Sequence, residues 1–208
     1  MLVFFKPNLA LFSVPKTGST SYGLALRGHA DIAFAKRTKH MTVGKFHNKV
    51  APFLAKTFGV TPERMAIMRD PEDHLRSWYR YRCRKKLRDS PASTIDQSFD
   101  EFVLDVIGAA PSPGARIGSQ YKFLSLADGT VPVHHLFAYE DQPQIRGFLE
   151  ERLQAELQIG HKNVSPPVAA PLSPEVADRL RAARAEEFAL YARLCDAGGH
   201  LCALDGAG

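Results

Sequence analysis

The chain predicts an α/β fold, one domain over residues 1–208 with a central parallel sheet flanked by helices. Three observations carry this reading. Short apolar runs suited to buried strands alternate with longer segments of helical periodicity, the pattern of a parallel sheet covered on both faces. A length of 208 residues fits one domain with a full core. Hydrophobic residues make up 45% and charged residues 24%, the balance of a globular protein rather than a disordered one. No internal repeat or low-complexity tract divides the chain.

Leu9–Val14 reads as the first strand, and roughly Ser19–Arg27 as the helix after the small-residue loop that follows it. Val50, Phe53, Leu54 and Phe58 recur at helical spacing, with Gly59 as the stop. Met65–Met68 is too short for a stable helix and reads as a second buried strand. Asp70 then serves as N-cap, Pro71 opens a helix with acids in its first turn, and that helix is expected to reach Leu87, with Leu75, Trp78, Tyr79 and Leu87 on its core side. Ser98 and Glu101 form a capping box for a helix bearing Phe99, Phe102, Val103 and Val106, ended by Gly108. Ala109–Gly118, with two prolines and two glycines, is a loop, and a short helix near Ser119–Leu126 follows. Val133–Tyr139 reads as a third strand, in which His134 and His135 alternate and serve structural roles. Gln144–Leu157 is an amphipathic helix, and after the Pro-rich stretch Ser165–Pro171 a final helix runs from Ser173 to about Cys195.

The whole-chain properties exclude several classes. No apolar run approaches the roughly 20 residues needed to span a bilayer, and the N-terminus lacks the layout of a signal peptide, so a cytoplasmic location is expected. Cys83, Cys195 and Cys202 have neither disulfide-framework nor zinc spacing, so free thiols and no metal are expected. A net charge of +5 points to an anionic partner without distinguishing nucleotide, sulfated glycan and nucleic acid.

The loop Pro15-Lys16-Thr17-Gly18-Ser19-Thr20-Ser21 joins a strand end to a helix N-terminus. Backbone N–H groups, the helix dipole and hydroxyl donors make such a junction an anion cradle, with Lys16 as a point charge at its mouth. It is not a Walker loop, because Lys16 precedes the only loop glycine, Gly18, whereas that motif places the lysine after its second glycine. The second strand also ends in anion-friendly sequence. Arg69 stands at its tip and Ser77 lies eight residues on, two turns into the next helix. An Arg fork and a hydroxyl so placed could hold one phosphate; alternatively, Arg69 pairs with Asp73 and Ser77 is a packing residue.

The two motifs together, Pro15–Ser21 and Met68-Arg69-Asp70-Pro71 with Ser77, resemble those of the sulfotransferases that use 3′-phosphoadenosine 5′-phosphosulfate (PAPS). Weaker echoes in Ser98–Val103, Tyr139-Glu140-Asp141, His161-Lys162-Asn163-Val164-Ser165 and the last helix with Phe188 and Tyr191 are similar to the carbohydrate-acting branch. The chain departs from the family pattern at Val14, where many relatives carry histidine or isoleucine, and it lacks the Gly-rich C-terminal cofactor loop of the cytosolic small-molecule enzymes. The resemblance implies a P-loop-kinase-like sulfotransferase fold, PAPS as donor, PAP as product and no metal. It implies that Lys16 contacts the sulfuryl group and bridging oxygen, that Thr17, Gly18, Ser19, Thr20 and Ser21 wrap the 5′-phosphate, and that Arg69 and Ser77 take the 3′-phosphate. The acceptor is then a hydroxyl, with a carbohydrate such as an anionic glycan as the class the branch suggests.

An acceptor hydroxyl needs a general base. His40, in Lys39-His40-Met41-Thr42, looks like the segment that supplies it in some glycan sulfotransferases; His47 is the second candidate and Glu140, at the third strand end, an outside one. Arg76, Arg80, Arg84 and Arg88 recur four residues apart. Like charges at that spacing oppose one another by about 0.2–0.5 kcal/mol per pair, so the stripe, with Arg76, Arg80 and Arg84 as acceptor-binding residues, suggests an anionic substrate. A solvated helix face is the plainer explanation. A nucleotide-dependent phosphotransferase and a basic nucleic-acid-binding module are the other two functional readings. The first lacks a Walker loop and a clear magnesium carboxylate, and the second lacks interleaved aromatics and any helix-turn-helix or zinc pattern.

Overall fold

The computed structural model describes residues 1–160 and 168–202, so the motif His161–Ser165 and part of the Pro-rich stretch lie outside the described residues. Six strands form one mixed sheet: β1 (Leu2–Phe4), β2 (Leu9–Leu11), β3 (Ile32–Ala33), β4 (Glu63–Met68), β5 (His135–Ala138) and β6 (His200–Cys202), in the spatial order β3-β1-β2-β4-β5-β6. The expected parallel sheet is confined to the centre, where β2, β4 and β5 run parallel. The flanking strands pair antiparallel, which corrects the all-parallel expectation. The cause is local. A four-residue turn joins β1 to β2, too short for a parallel crossover, and Asn8 closes it at φ 51. Gly198 and Gly199, at φ 71 and 83, turn the last helix back into β6.

Side chains alternate across the sheet and build two cores. On one face Val3, Ala10, Phe12, Ala66, Met68, Leu136 and Ala138 meet Phe46, Leu54, Leu124, Leu190 and Leu194. The first three of those partners belong to α2 (Val43–Lys45), which runs through a π-turn (Phe46–Val50) into α3 (Ala51–Phe58), and to α6 (Gln120–Leu124). The last two lie on α9 (Ala185–Asp196). On the other face Leu2, Phe4, Leu9, Leu11, Met65, Ile67 and Phe137 meet Tyr22 and Leu26 of α1 (Ser19–Leu26) and Ile145 and Leu149 of α7 (Gln142–Leu153). A third apolar cluster joins α4 (Pro71–Arg82), α5 (Phe99–Ile107) and α8 (Pro174–Ala183) through Leu75, Tyr79, Phe102, Val106 and Leu180.

Caps fall where the residue types place them. Asp70 accepts from the Asp73 N–H at 2.9 Å, and Ser98 with Glu101 closes a reciprocal capping box. Four helices differ from expectation; one is α7, which starts at Gln142 and ends at Leu153 rather than Leu157, with Gln154 turning out at φ 51. The helix expected to reach Leu87 ends at Arg82, where buried Thr94 donates to the Tyr79 carbonyl (3.0 Å) and Lys85–Leu87 form a separate 3-10 turn. The single C-terminal helix is two, broken at Arg184, whose side chain turns to Glu187 (3.2 Å). In α3 only Leu54 is buried; Phe53 and Phe58 are exposed and pack edge to face, with Phe58 also against Phe5. Among the described residues no helix is long and apolar enough to cross a membrane.

Candidate functional site

The C-terminal ends of β2, β4 and β5 open into one cleft of about 990 Å³. Its lining comes from the loop after β2 (Pro15, Lys16, Gly18), the first turn of α1 (Ser19, Thr20, Ser21, Tyr22), the segment Lys39–His40, Arg69 at the tip of β4, the face of α4 carrying Ser77, Trp78, Arg80 and Tyr81, and Tyr139 with Gln142 after β5. A volume in this range holds a nucleotide-sized ligand, and strand ends of an open parallel sheet are where such ligands bind.

The loop after β2 is held from inside, carbonyl by carbonyl. The Thr17 hydroxyl donates to the Val14 carbonyl (2.9 Å), buried His74 of α4 donates from Nε2 to the Pro15 carbonyl (3.2 Å), and Arg69 reaches the Lys16 carbonyl (3.5 Å). His74 is held neutral, its pKa lowered to about 3 by burial and then by the cations Arg184, Arg69 and Lys16. Lys16 takes φ 67 and Gly18 φ 70. For a lysine this left-handed geometry costs about 1–2 kcal/mol, the kind of local strain found at ligand clamps. At Gly18 the left-handed φ, rather than space, favours glycine, since a Cβ there would only touch the Tyr139 ring at 3.4 Å. No side chain caps α1 and no acid stands in its first turn, whereas α4, α5 and α7 are capped by Asp70, Ser98 and Asp141. An uncapped helix N-terminus at the end of such a loop attracts anions.

Two cations face this cradle. Lys16 Nζ lies over the Tyr81 ring at 4.4 Å and the Trp78 ring at 5.4 Å, and burial, together with Arg84, Arg69 and Arg82, lowers its pKa to about 8. The Arg69 guanidinium stacks on Tyr139 at 4.6 Å, and its Nε is buried with no hydrogen-bond partner. Neither Lys16 nor Arg69 has a carboxylate within ion-pair distance among the described residues. The alternative pairing of Arg69 with Asp73 is not formed; Asp73 binds Arg76 at 2.8 Å instead. Arg69 is fixed through its backbone. Buried Gln120 accepts from its N–H (2.9 Å) and donates to its carbonyl (2.8 Å), and Gln120 is in turn bonded to buried Glu187.

His40 borders the cleft with its Nδ1 2.7 Å from the Ser13 carbonyl. A carbonyl only accepts, so Nδ1 carries the hydrogen and Nε2 keeps the lone pair. Its pKa is below the usual histidine value, chiefly through burial, with Lys39 adding to the effect against the Ser13 hydrogen bond. Neighbouring Lys39 donates to the Thr20 hydroxyl at 3.0 Å.

The structure therefore brings Lys16, Gly18, Ser19, Thr20, Ser21, His40, Arg69, Ser77, Arg80 and Arg84 to one cleft. Thr17 contributes its loop position, with its hydroxyl committed to Val14. His47 sits in the π-turn outside the cleft lining, and Glu140 is occupied by the Asp70 N–H (3.1 Å) and the Tyr191 hydroxyl (2.8 Å). The arginine stripe does not survive as a continuous helical face. Arg76 is bound to Glu72, Asp73 and the Ala170 carbonyl outside the cleft lining, and Arg84 and Arg88 lie beyond the end of α4. Half-buried Trp78 packs on the α4–α5–α8 cluster, as its expected core side requires, and also walls the cleft, where Tyr81 joins it; their i, i+3 spacing among arginines is the available signal for that second role. No protein-family model matches the chain, and neither the curated proteins nor the solved structures give a match.

Proposed function

We propose that this chain is a PAPS-dependent sulfotransferase with the P-loop-kinase-like fold of that family, acting on a hydroxyl acceptor of carbohydrate type. One observation carries the reading: the strained loop with Lys16 and the half-buried Arg69, which has no carboxylate within ion-pair distance among the described residues, converge on a single cleft at the ends of neighbouring parallel strands. A ligand with anionic groups at both ends, as in 3′-phosphoadenosine 5′-phosphosulfate, matches two such anchors. The loop amides and the hydroxyls of Ser19, Thr20 and Ser21 hold the 5′ end, and Arg69 with Ser77 holds the 3′-phosphate. Bound there, the donor supplies the sulfuryl group for an in-line displacement. Lys16 stabilises the negative charge that builds on the departing phosphate oxygen. His40 Nε2 accepts the proton of the acceptor hydroxyl as its oxygen bonds to sulfur.

The melting temperature with PAP, ATP–Mg²⁺ or a random oligonucleotide tests this assignment against the phosphotransferase and nucleic-acid readings. At a hundred times its Kd a ligand stabilises by about 2.7 kcal/mol, a rise of roughly 5–10 °C for a chain of this size. We expect that rise with PAP alone. A rise with ATP–Mg²⁺ or the oligonucleotide and none with PAP contradicts the assignment.

The base assignment predicts the pH profile. Because the His40 pKa lies below its usual 6.5, the fraction of Nε2 free to accept a proton falls only in more acidic solution. The rate with saturating PAPS and acceptor should be level around pH 7, drop as pH falls through a value below 6.5, and decline again at alkaline pH as Lys16 loses its proton. His40→Ala should lower turnover about 10²–10⁴-fold and remove that acid limb, with PAP affinity unchanged. An unaltered limb in His40→Ala rules His40 out as the base.

A further inference from the structure

At the opposite end of β5 from the cleft, three side chains with metal-binding chemistry meet. His135 pairs directly with Cys202 across the antiparallel β5–β6 ladder. His200, two residues before Cys202, shares its face of β6 because strand side chains alternate with period two. His135 Nδ1 lies 3.2 Å from His200 Nε2, and Cys202 Sγ lies 3.4 Å from the same atom. We propose that His135, His200 and Cys202 bind one Zn²⁺, through His135 Nδ1, His200 Nε2 and Cys202 Sγ, as a clip that fastens edge strand β6 to the sheet.

The distances are those a zinc ion needs. With Zn–N of about 2.0–2.1 Å and Zn–S of about 2.3 Å, tetrahedral geometry places nitrogen ligands about 3.3 Å apart and nitrogen from sulfur about 3.5 Å. The surrounding residues orient the donors. Glu63 faces His135 Nε2 at 3.3 Å, and since a carboxylate only accepts, that nitrogen carries the hydrogen and Nδ1 presents its lone pair to the metal. Arg152 pairs with the same Glu63 oxygen, Oε2, and holds the carboxylate in place beside His135. His200 lies flat on Phe137, ring centres 3.9 Å apart at 13°, and His135 packs on Phe148 at 4.7 Å. Two imidazoles and a thiolate suit Zn²⁺ rather than Mg²⁺ or Ca²⁺. On binding, the Cys202 thiol releases its proton to solvent, two Zn–N bonds and one Zn–S bond form, and no atom changes oxidation state. A fourth position is left for water. The site lies away from the cleft and stands whether or not the cleft binds PAP.

Titration of the metal-free full chain with Zn²⁺ in a non-chelating reductant tests the proposal. One equivalent should bind per chain, and Co²⁺ should give the near-ultraviolet thiolate charge-transfer band of tetrahedral coordination. Cys202 is exposed, so Cys202→Ser keeps the fold; it should abolish the band and weaken zinc binding on the order of 100-fold. Glu63→Gln should weaken it about tenfold, and Cys195→Ser should leave it unchanged. Absence of binding at micromolar Zn²⁺, or affinity and band that persist in Cys202→Ser, overturns the proposal.

Discussion

Lys16→Ala is expected to lower sulfuryl transfer about 10²–10³-fold while leaving PAP affinity within a few-fold of the unaltered protein. The asymmetry follows from where charge appears. Under the proposed assignment the ground-state ammonium would share the phosphosulfate with loop amides and the α1 N-terminus, which remain in the variant. In the transition state it would face the bridging oxygen, where charge would develop and where the β2 loop offers no other side-chain cation. Lys16 is already placed for this: its ammonium sits against the Tyr81 and Trp78 rings, and its backbone is locked in the left-handed region by the bonds to Val14, Pro15 and Lys16 carbonyls. Its pKa of about 8 keeps most of the group protonated at pH 7, and a bound anion raises that fraction further. Single-turnover rates with labelled PAPS, beside PAP titrations, separate the two effects. Equal loss in both measurements makes Lys16 a binding residue only.

Arg69→Ala should act in the opposite way, with PAP affinity falling roughly 30- to 1000-fold, the cost of about 2–4 kcal/mol for removing one partner of a sheltered charge-assisted contact. Turnover at saturating PAPS should change far less. The variant is a clean one, because Gln120 holds the Arg69 N–H and carbonyl and keeps the strand tip in place without the guanidinium. It removes an unsatisfied buried Nε and one source of repulsion on Lys16 but also the contact with the Lys16 carbonyl and the stacking on Tyr139, so the ligand-free protein should lose little stability. Calorimetric titration reads the affinity and thermal unfolding reads the fold. PAP affinity unchanged in Arg69→Ala contradicts its assignment to the 3′-phosphate.

What the sequence made legible was local. The apolar runs at Leu9, Met65 and Leu136, the caps at Asp70 and Ser98, and the strand–loop–helix order around Lys16 are all set by neighbours in the chain, and each appears in the structure. The misjudged features depend on distant partners. Trp78 has the helical phase of a core residue and packs on the α4–α5–α8 cluster; what its phase did not show is the second role as a cleft wall, which the placement of the β2 loop above α4 creates. The arginine periodicity of 76, 80, 84 and 88 presupposed a helix that Thr94, from a later turn, helps to end at Arg82. Gln120 and Glu187, which brace Arg69, stand 51 and 67 residues from their partners Arg69 and Gln120. The His135–His200–Cys202 cluster has no recognisable spacing because His135 and His200 lie 65 residues apart in the chain. Residues such as His74, which turn the carbonyls of the loop inward, leave no sequence pattern beyond lying inside a polar helix start.

Calorimetric titration of the ligand-free chain with PAP, and with AMP for comparison, measures the two-anchor cleft itself. PAP should bind, and AMP, which lacks the 3′-phosphate assigned by this proposal to Arg69 and Ser77, should bind about 100-fold more weakly. No heat from PAP at millimolar concentration, or equal affinity for PAP and AMP, contradicts the assignment of this cleft to 3′-phosphoadenosine 5′-phosphosulfate.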